Sequence, residues 1–396
     1  MPSVFFGMHV TGNLVQDWPA VPFGALGKKN ATSWRYLQES PGGYHWEPLD
    51  RYVEAAESHH VSAMYTFGQT PQWASSNPRA KCLGQGHLGC SAPPANIQHW
   101  INYVTAVVTR YKGRIRFYEL WNEPGNVGEW SGSYEDMVTL AKHAYRIIKS
   151  IDPNAIVLTP APGAGRYGRQ PQRGPTNPIQ ERWMQEYLHA GGNSYADGGS
   201  FHAYPYYDTC SETLECAGSP LIAQVDRMRS VMDRNGMAGK PLYVTEGGWR
   251  KEEDLPEPDQ QVAFIARWFI ILASKGIAGA YWYAWDAKQL WGTLWDPETG
   301  IHPPGKAYAQ VHNWLLGATI SPCSVSKDNL WSCPLTRAKG YQALAIWNGS
   351  GKQSYSYTPG KEYKQYRDLV GNTVPIKGPV QVGIKPILLE TSPPPQ

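Results

Sequence analysis

Two periods of apolar residues alternate along most of the chain. Runs such as Val4-Phe5-Phe6-Gly7-Met8-His9, Ser62-Ala63-Met64-Tyr65-Thr66-Phe67 and Leu242-Tyr243-Val244-Thr245-Glu246 are short and rich in aromatic and β-branched residues, as strands are. Between them lie stretches with apolar positions three and four apart. Leu49, Tyr52, Val53 and Ala56 predict a helix over about 49–58, and Trp100, Tyr103, Val104, Val107 and Val108 predict one over 96–111. Further helices are predicted over 134–151, where Ser133 and Asp136 give an N-cap signal, and over 179–190, 221–235, 260–274 and 305–316. Eight strand-like segments, six of them alternating with clear helices, predict an α/β fold: a (β/α)₈ TIM barrel over residues 1–318. From Ile320 the texture changes to short alternating runs split by Gly, Asn and Pro, which predicts an accessory β-sandwich domain over 319–396.

Two of the predicted strands end in a glutamate. Arg116-Phe117-Tyr118-Glu119-Leu120-Trp121 stops at Asn122-Glu123-Pro124-Gly125, where Pro and Gly break the ladder. The strand at 241–245 ends in Glu246, followed by Gly247-Gly248-Trp249. The C-terminal ends of barrel strands are where such a fold places its chemistry. Glycoside hydrolysis needs two carboxyl groups, one to protonate the leaving oxygen and one to attack the anomeric carbon or activate water. Glu119, four residues before Glu123, sits deeper in its strand and reads as a buried ion-pair member.

Trp121-Asn122-Glu123-Pro124 together with Thr245-Glu246-Gly247-Gly248-Trp249 resembles the clan A retaining glycoside hydrolases. The resemblance implies that Glu123 is the acid/base at the end of strand four and Glu246 the nucleophile at the end of strand seven. Trp34-x-x-Leu37, Gly43-x-x-Trp46 and Leu49-Asp50, with Thr70-Pro71-Gln72-Trp73, resemble glycoside hydrolase family 39 and the related endoglycosidases that cut biofilm exopolysaccharide. Those relatives carry an Arg about five positions before the Trp, near the nucleophile; here Lys29 stands there, keeping the charge without Arg's planar fork. The resemblance further implies substrate-binding roles for Asn122, at the sugar 2-hydroxyl, for His202 and Tyr204 at the end of strand six, and for a strand-eight aromatic, Trp282 or Trp285. Trp73 is a candidate subsite platform and equally a loop-packing residue, and His9 at the end of strand one joins the set.

Composition adds the class of ligand. Aromatics are 12% of the 396 residues, with 17 Trp and 24 Tyr, which suits stacking on sugar faces as well as core filling. A net charge of +3 is too weak and dispersed to argue for nucleic acid. The six cysteines fall as Cys82/Cys90, Cys210/Cys216 and Cys323/Cys333, without zinc-site spacing, and nearest-neighbour bridges would imply an oxidising compartment. The chain opens directly into a strand, which reads as a mature, secreted or periplasmic protein with its export signal removed. The partners expected are a carbohydrate and no nucleic acid or membrane; no cofactor or metal is expected, and the protein is read as a monomer. Arg166, Arg169 and Arg173 in a long loop could meet an anionic sugar or simply face solvent, and Trp291 and Trp295 follow strand eight. A binding protein that has lost turnover, or a transglycosylase using the same residues, are the alternative functions, and the glycone and linkage stay open.

Overall fold

The computed structural model describes residues 1–28, 30–83, 86–126, 128–163, 179–205, 213–249, 255–287, 292–349 and 354–392. Eight parallel strands form one sheet: β1 (Phe6–Met8), β2 (Ala25–Leu26), β3 (Ser62–Thr66), β4 (Ile115–Glu119), β5 (Ile156–Leu158), β6 (Gly199–Ala203), β7 (Leu242–Gly247) and β8 (Gly279–Trp282). Their order is β5-β4-β3-β2-β1-β8-β7-β6. The two ends meet at a parallel bridge between Leu158 and Gly198, where the Thr159 N–H donates to Gly198 O at 3.1 Å. The sheet is thereby a near-closed barrel.

Helices α1 (Trp34–Leu37), α2 (Glu47–Ser58), α3 (Ile97–Arg110), α4 (Tyr134–Ile151), α5 (Ile179–His189), α6 (Thr213–Cys216), α7 (Ser219–Met232), α8 (Pro258–Ser274) and α9 (Pro303–Leu315) accompany the strands. The predicted stripes are the buried faces: Leu49, Tyr52, Val53 and Ala56 on α2, and Trp100, Tyr103, Val104, Val107 and Val108 on α3. α4 opens on the expected cap, with the Asp136 N–H donating to Ser133 Oγ at 3.0 Å and the Ser133 N–H donating back to the Asp136 carboxylate at 2.9 Å. No helix among the described residues is long and apolar enough to cross a membrane.

Inside the barrel, Ala25, Met64, Phe117, Leu158, Tyr243 and Tyr281 form a separate apolar cluster. Gly7 belongs to this layer: a Cβ there would lie 2.3 Å from the Tyr281 ring. Strand side chains repeat every second residue, so the next inward positions are His9, Thr66, Glu119, Thr245 and Tyr283. The layer nearest the C-terminal strand ends is therefore polar, although His9, Thr66, Glu119 and Thr245 are buried.

Beyond α9 the chain turns antiparallel. The larger sheet runs through Leu330–Thr336, Gln342–Asn348, Ile387–Glu390, Gln365–Arg367 and Thr373–Pro375, and a second pairs Tyr355–Tyr357 with Val380–Val382, as a sandwich does. The central strands bury both faces. Cys333, Leu335, Ala343, Ala345, Trp347 and Leu388 join the core of the barrel, while Leu344, Ile346, Leu389, Val380 and Val382 fill the small sandwich. Arg267 of α8, 1% exposed, fastens the two parts. Its guanidinium donates to Asn348 O at 3.0 Å and to Ile384 O at 2.6 and 3.0 Å. Bridges join Cys82 to Cys90 and Cys323 to Cys333, two of the expected pairs; the Cys210/Cys216 pairing lies outside the described residues.

Candidate active site

Glu123 does not lie in a regular strand. Its backbone takes the left-handed region, φ 45°, a conformation that costs a non-glycine residue about 1–2 kcal/mol. The loop after β5 holds it there: the Glu123 N–H donates to Ala161 O at 2.8 Å, and Asn122 bridges to Ala161. The turn aims the side chain into the barrel mouth. His202 Nδ1 lies 2.8 Å from Glu123 Oε1, and Asn126 Nδ2 donates to Oε2 at 2.6 Å.

Glu246 comes from β7 on the facing side. Tyr204 O–H donates to its Oε1 at 2.7 Å, and Lys28 Nζ lies 2.9 Å from its Oε2. His202 Nδ1 is 3.8 Å from Oε1, so one imidazole touches both acids. The nearest carboxylate oxygens of Glu123 and Glu246 lie within 4.8 Å of each other. Retaining enzymes hold their carboxyl groups about 5–5.5 Å apart and inverting ones about 6.5–9.5 Å, so the spacing is that of a retaining pair. With His202 the pair could also ligate a divalent cation, but the Lys28 ammonium already stands at Glu246.

The charges divide the work. Burial alone would raise the Glu246 carboxyl; the Lys28 ammonium, then His202, overcome it and hold the group well below the usual carboxylate range. Burial likewise works to lower Lys28, and the Glu246 charge reverses this, keeping Lys28 above its ordinary value. Burial opposes protonation of His202 as well, but the Glu246 charge and the Glu123 contact raise it. His9 is the contrast. Burial lowers it to about 4, so it is neutral at pH 7. Its Nε2 meets a carbonyl oxygen, Thr245 O at 2.8 Å, and must therefore donate, which fixes the backbone just before Glu246.

Of the sequence-predicted residues, Glu123, Glu246, Asn122, His202 and Tyr204 are brought together. His9 supports the site from beneath. Asn122 Oδ1 accepts from Lys28 Nζ, so its amide N–H groups are free to face a ligand. Trp282 is corrected. It is fully buried on the outer side of β8, with its centroid 5.1 Å from Trp249 and 5.4 Å from Trp268, and its indole N–H donates to Gly292 O. Trp285 is 1% exposed and stacks on Trp295, which leaves its ring no open face for sugar. Trp73 takes the loop-packing role, donating to Gln38 O at 2.9 Å and packing on His99. Glu119 forms no ion pair among the described residues. Thr66 Oγ1 donates to it at 3.0 Å, and burial raises its carboxyl. Lys29, Arg166, Arg169, Arg173 and Trp291 lie outside the described residues.

Four residues at the mouth escaped the sequence reading. Lys28 is paired with Glu246. Asn126 holds Glu123. Tyr283, two residues after the inward Tyr281, brings its ring 5.2 Å from His9 and is only partly buried. Glu129 lines a small cavity beside Asn122 and Lys28. Burial, then the charge of Glu123, pushes its carboxyl up to about 8.

The family and the fold are shared with known proteins. The family model of Cellulase (glycosyl hydrolase family 5) matches residues 31–288. An endo-1,4-beta-xylanase 1 of Gibberella zeae is 25% identical over 143 residues, which span 33% of this chain and 36% of that protein. A family 39 glycoside hydrolase from Bacteroides cellulosilyticus has the same fold, with a TM-score of 0.72 at 18% identity over 98% of this chain and 81% of its own. A family 30 endoxylanase from Clostridium papyrosolvens gives 0.60 at 13% identity, covering 98% and 96%. The family 39 resemblance thus returns as a likeness of fold, while the matching family model is that of family 5. With most of its barrel matched, the chain belongs to the cellulase family, glycosyl hydrolase family 5, and is a retaining glycoside hydrolase of clan A.

Proposed function

We propose that the protein hydrolyses an extracellular poly- or oligosaccharide by double displacement at Glu246 and Glu123. The observation that carries this reading is the pair itself: two carboxylates within 4.8 Å, one neutralised by Lys28 and the other without a cationic Lys or Arg bonded to it among the described residues. Glu246 attacks the anomeric carbon, and the carbon–oxygen bond to the leaving sugar breaks. The departing oxygen takes the Glu123 proton. Water then gives a proton to Glu123 and its oxygen to the anomeric carbon, freeing Glu246. Asn122, its oxygen fixed by Lys28, presents its N–H groups to the sugar 2-hydroxyl. Tyr283 takes the platform role that the sequence assigned to Trp282 or Trp285.

Residues 1–318 form the catalytic unit and 319–396 the accessory one. Disulfides at two sites support secretion or a periplasmic location. The xylanases among the similar proteins put β-1,4-xylan first among the polymers to try.

The test is hydrolysis of a panel of aryl glycosides and polysaccharides, xylan included, by wild type and Glu246→Gln, with products sized and their anomeric form followed by NMR. Wild type should release product of retained configuration and the variant none. Inverted product, or equal turnover by the variant, would overturn the assignment.

A further inference from the structure

Beside the catalytic pair lies a cavity of about 30 Å³, lined by Lys28, Ser33, Thr66, Gln69, Asn122 and Glu129 over the Trp121 ring. Its size admits one or two water-sized groups. Glu129, 5% exposed, comes from the loop after β4, and only its main chain is bonded: its carbonyl oxygen accepts from the Trp121 indole at 3.0 Å. No described residue bonds its carboxyl group, which is left to face the pocket. The pocket thus holds a buried acid on one wall and the Lys28 ammonium on another.

We propose that Glu129 is the specificity residue of this pocket, which receives one free, uncharged hydroxyl of the glycone, that at carbon 3. The proposal rests on the hydrolase reading above, in which Asn122 serves the 2-hydroxyl. The pocket is shared with Asn122, and carbon 3 is the neighbour of carbon 2 that is not the reacting centre. A sugar ammonium here would meet the Lys28 ammonium. A hydroxyl both donates and accepts, so it suits both walls. The glycone accordingly presents a free hydroxyl at this position.

The experiment compares wild type, Glu129→Gln and Glu129→Ala on p-nitrophenyl β-xyloside and β-glucoside and on their 3-deoxy counterparts. Melting curves check that each variant is folded. Glu129→Ala should raise KM by about 10- to 100-fold with kcat nearly unchanged, and the isosteric Glu129→Gln should recover part of the loss. Wild type should discriminate against the 3-deoxy sugar by a similar factor, and Glu129→Ala should not. Hydrolysis that is indifferent to Glu129, or equal discrimination by wild type and Glu129→Ala, overturns the pocket and leaves the hydrolase reading standing. If no glycoside is turned over, calorimetry with xylotriose and cellotriose decides. Binding weakened at least tenfold in Glu129→Ala supports the pocket even as the hydrolase reading falls; equal affinity, or no binding, overturns it.

Discussion

Lys28 Nζ lies 2.9 Å from Glu246 Oε2 and also bonds Asn122 Oδ1, so one ammonium joins the end of β2 to the ends of β4 and β7. Its side chain is 11% exposed and that of Glu246 12%. Removing one member of so buried a pair leaves the other uncompensated, at a cost of about 3–5 kcal/mol. Lys28→Met should lower kcat/KM by at least about 100-fold, and Lys28→Arg should restore only part, because a planar fork does not fit a point-charge site. Full activity in Lys28→Met would remove Lys28 from the mechanism.

The same pair makes a statement about pH. The Glu246 carboxyl is held below its ordinary value, so its contribution to stability is present above the unfolded pKa, about 4.3, and is lost as pH falls through the folded one. Lys28 is held above its ordinary value, so its share is complete below about pH 10.4. The Tm difference between wild type and Lys28→Met should be flat from about pH 5 to 9 and narrow below about pH 4. A gap that widens in acid would contradict this.

Three carboxyl groups near the mouth should respond differently to glutamine. Glu123→Gln should slow substrates with poor leaving groups by about 10²–10⁴ and spare those with activated aryl groups, which need no proton. Glu246→Gln should fail on both. Glu119→Gln should change activity by less than about tenfold, since burial already favours the neutral acid that glutamine imitates. Greater damage from Glu119→Gln than from Glu123→Gln would reverse the assignment.

Glu129 carries the opposite sign to Glu246. Its folded carboxyl titrates at about 8, so the native state binds its proton more tightly than the unfolded chain does. Stability is therefore withdrawn as pH rises from about 4.3 to 8, and the full cost is present above 8. Glu129→Gln should raise Tm at pH 9 and change it little at pH 4. A larger gain in acid would refute the burial account.

Arg267 supplies a prediction remote from catalysis. Arg267→Ala leaves the Asn348 and Ile384 carbonyls without their guanidinium and should cost about 3 kcal/mol of stability, with KM unchanged. A shifted KM would mean that the accessory strands reach the sugar.

The barrel was legible because both periods recur in order, and Glu123 and Glu246 because each stands where a strand pattern breaks. The errors cluster just past strand ends. Lys28 stands beyond Leu26, where no alternation says which side chain points inward. On β8 both faces are aromatic, so Tyr281 and Tyr283 could not be told from Trp282 as the inner row. The signal lay in Gly7, whose missing side chain makes room for the Tyr281 ring and so assigns that face to the interior. Glu129 carried no motif; its meaning comes from burial without a partner.

The contact between Gly7 and Tyr281 also bears on descent. A Cβ at position 7 would stand 2.3 Å from the ring, so neither residue can be exchanged alone for a bulkier one. A lineage that enlarges position 7 must first shrink position 281. Among descendants of this chain, the two positions should therefore change together.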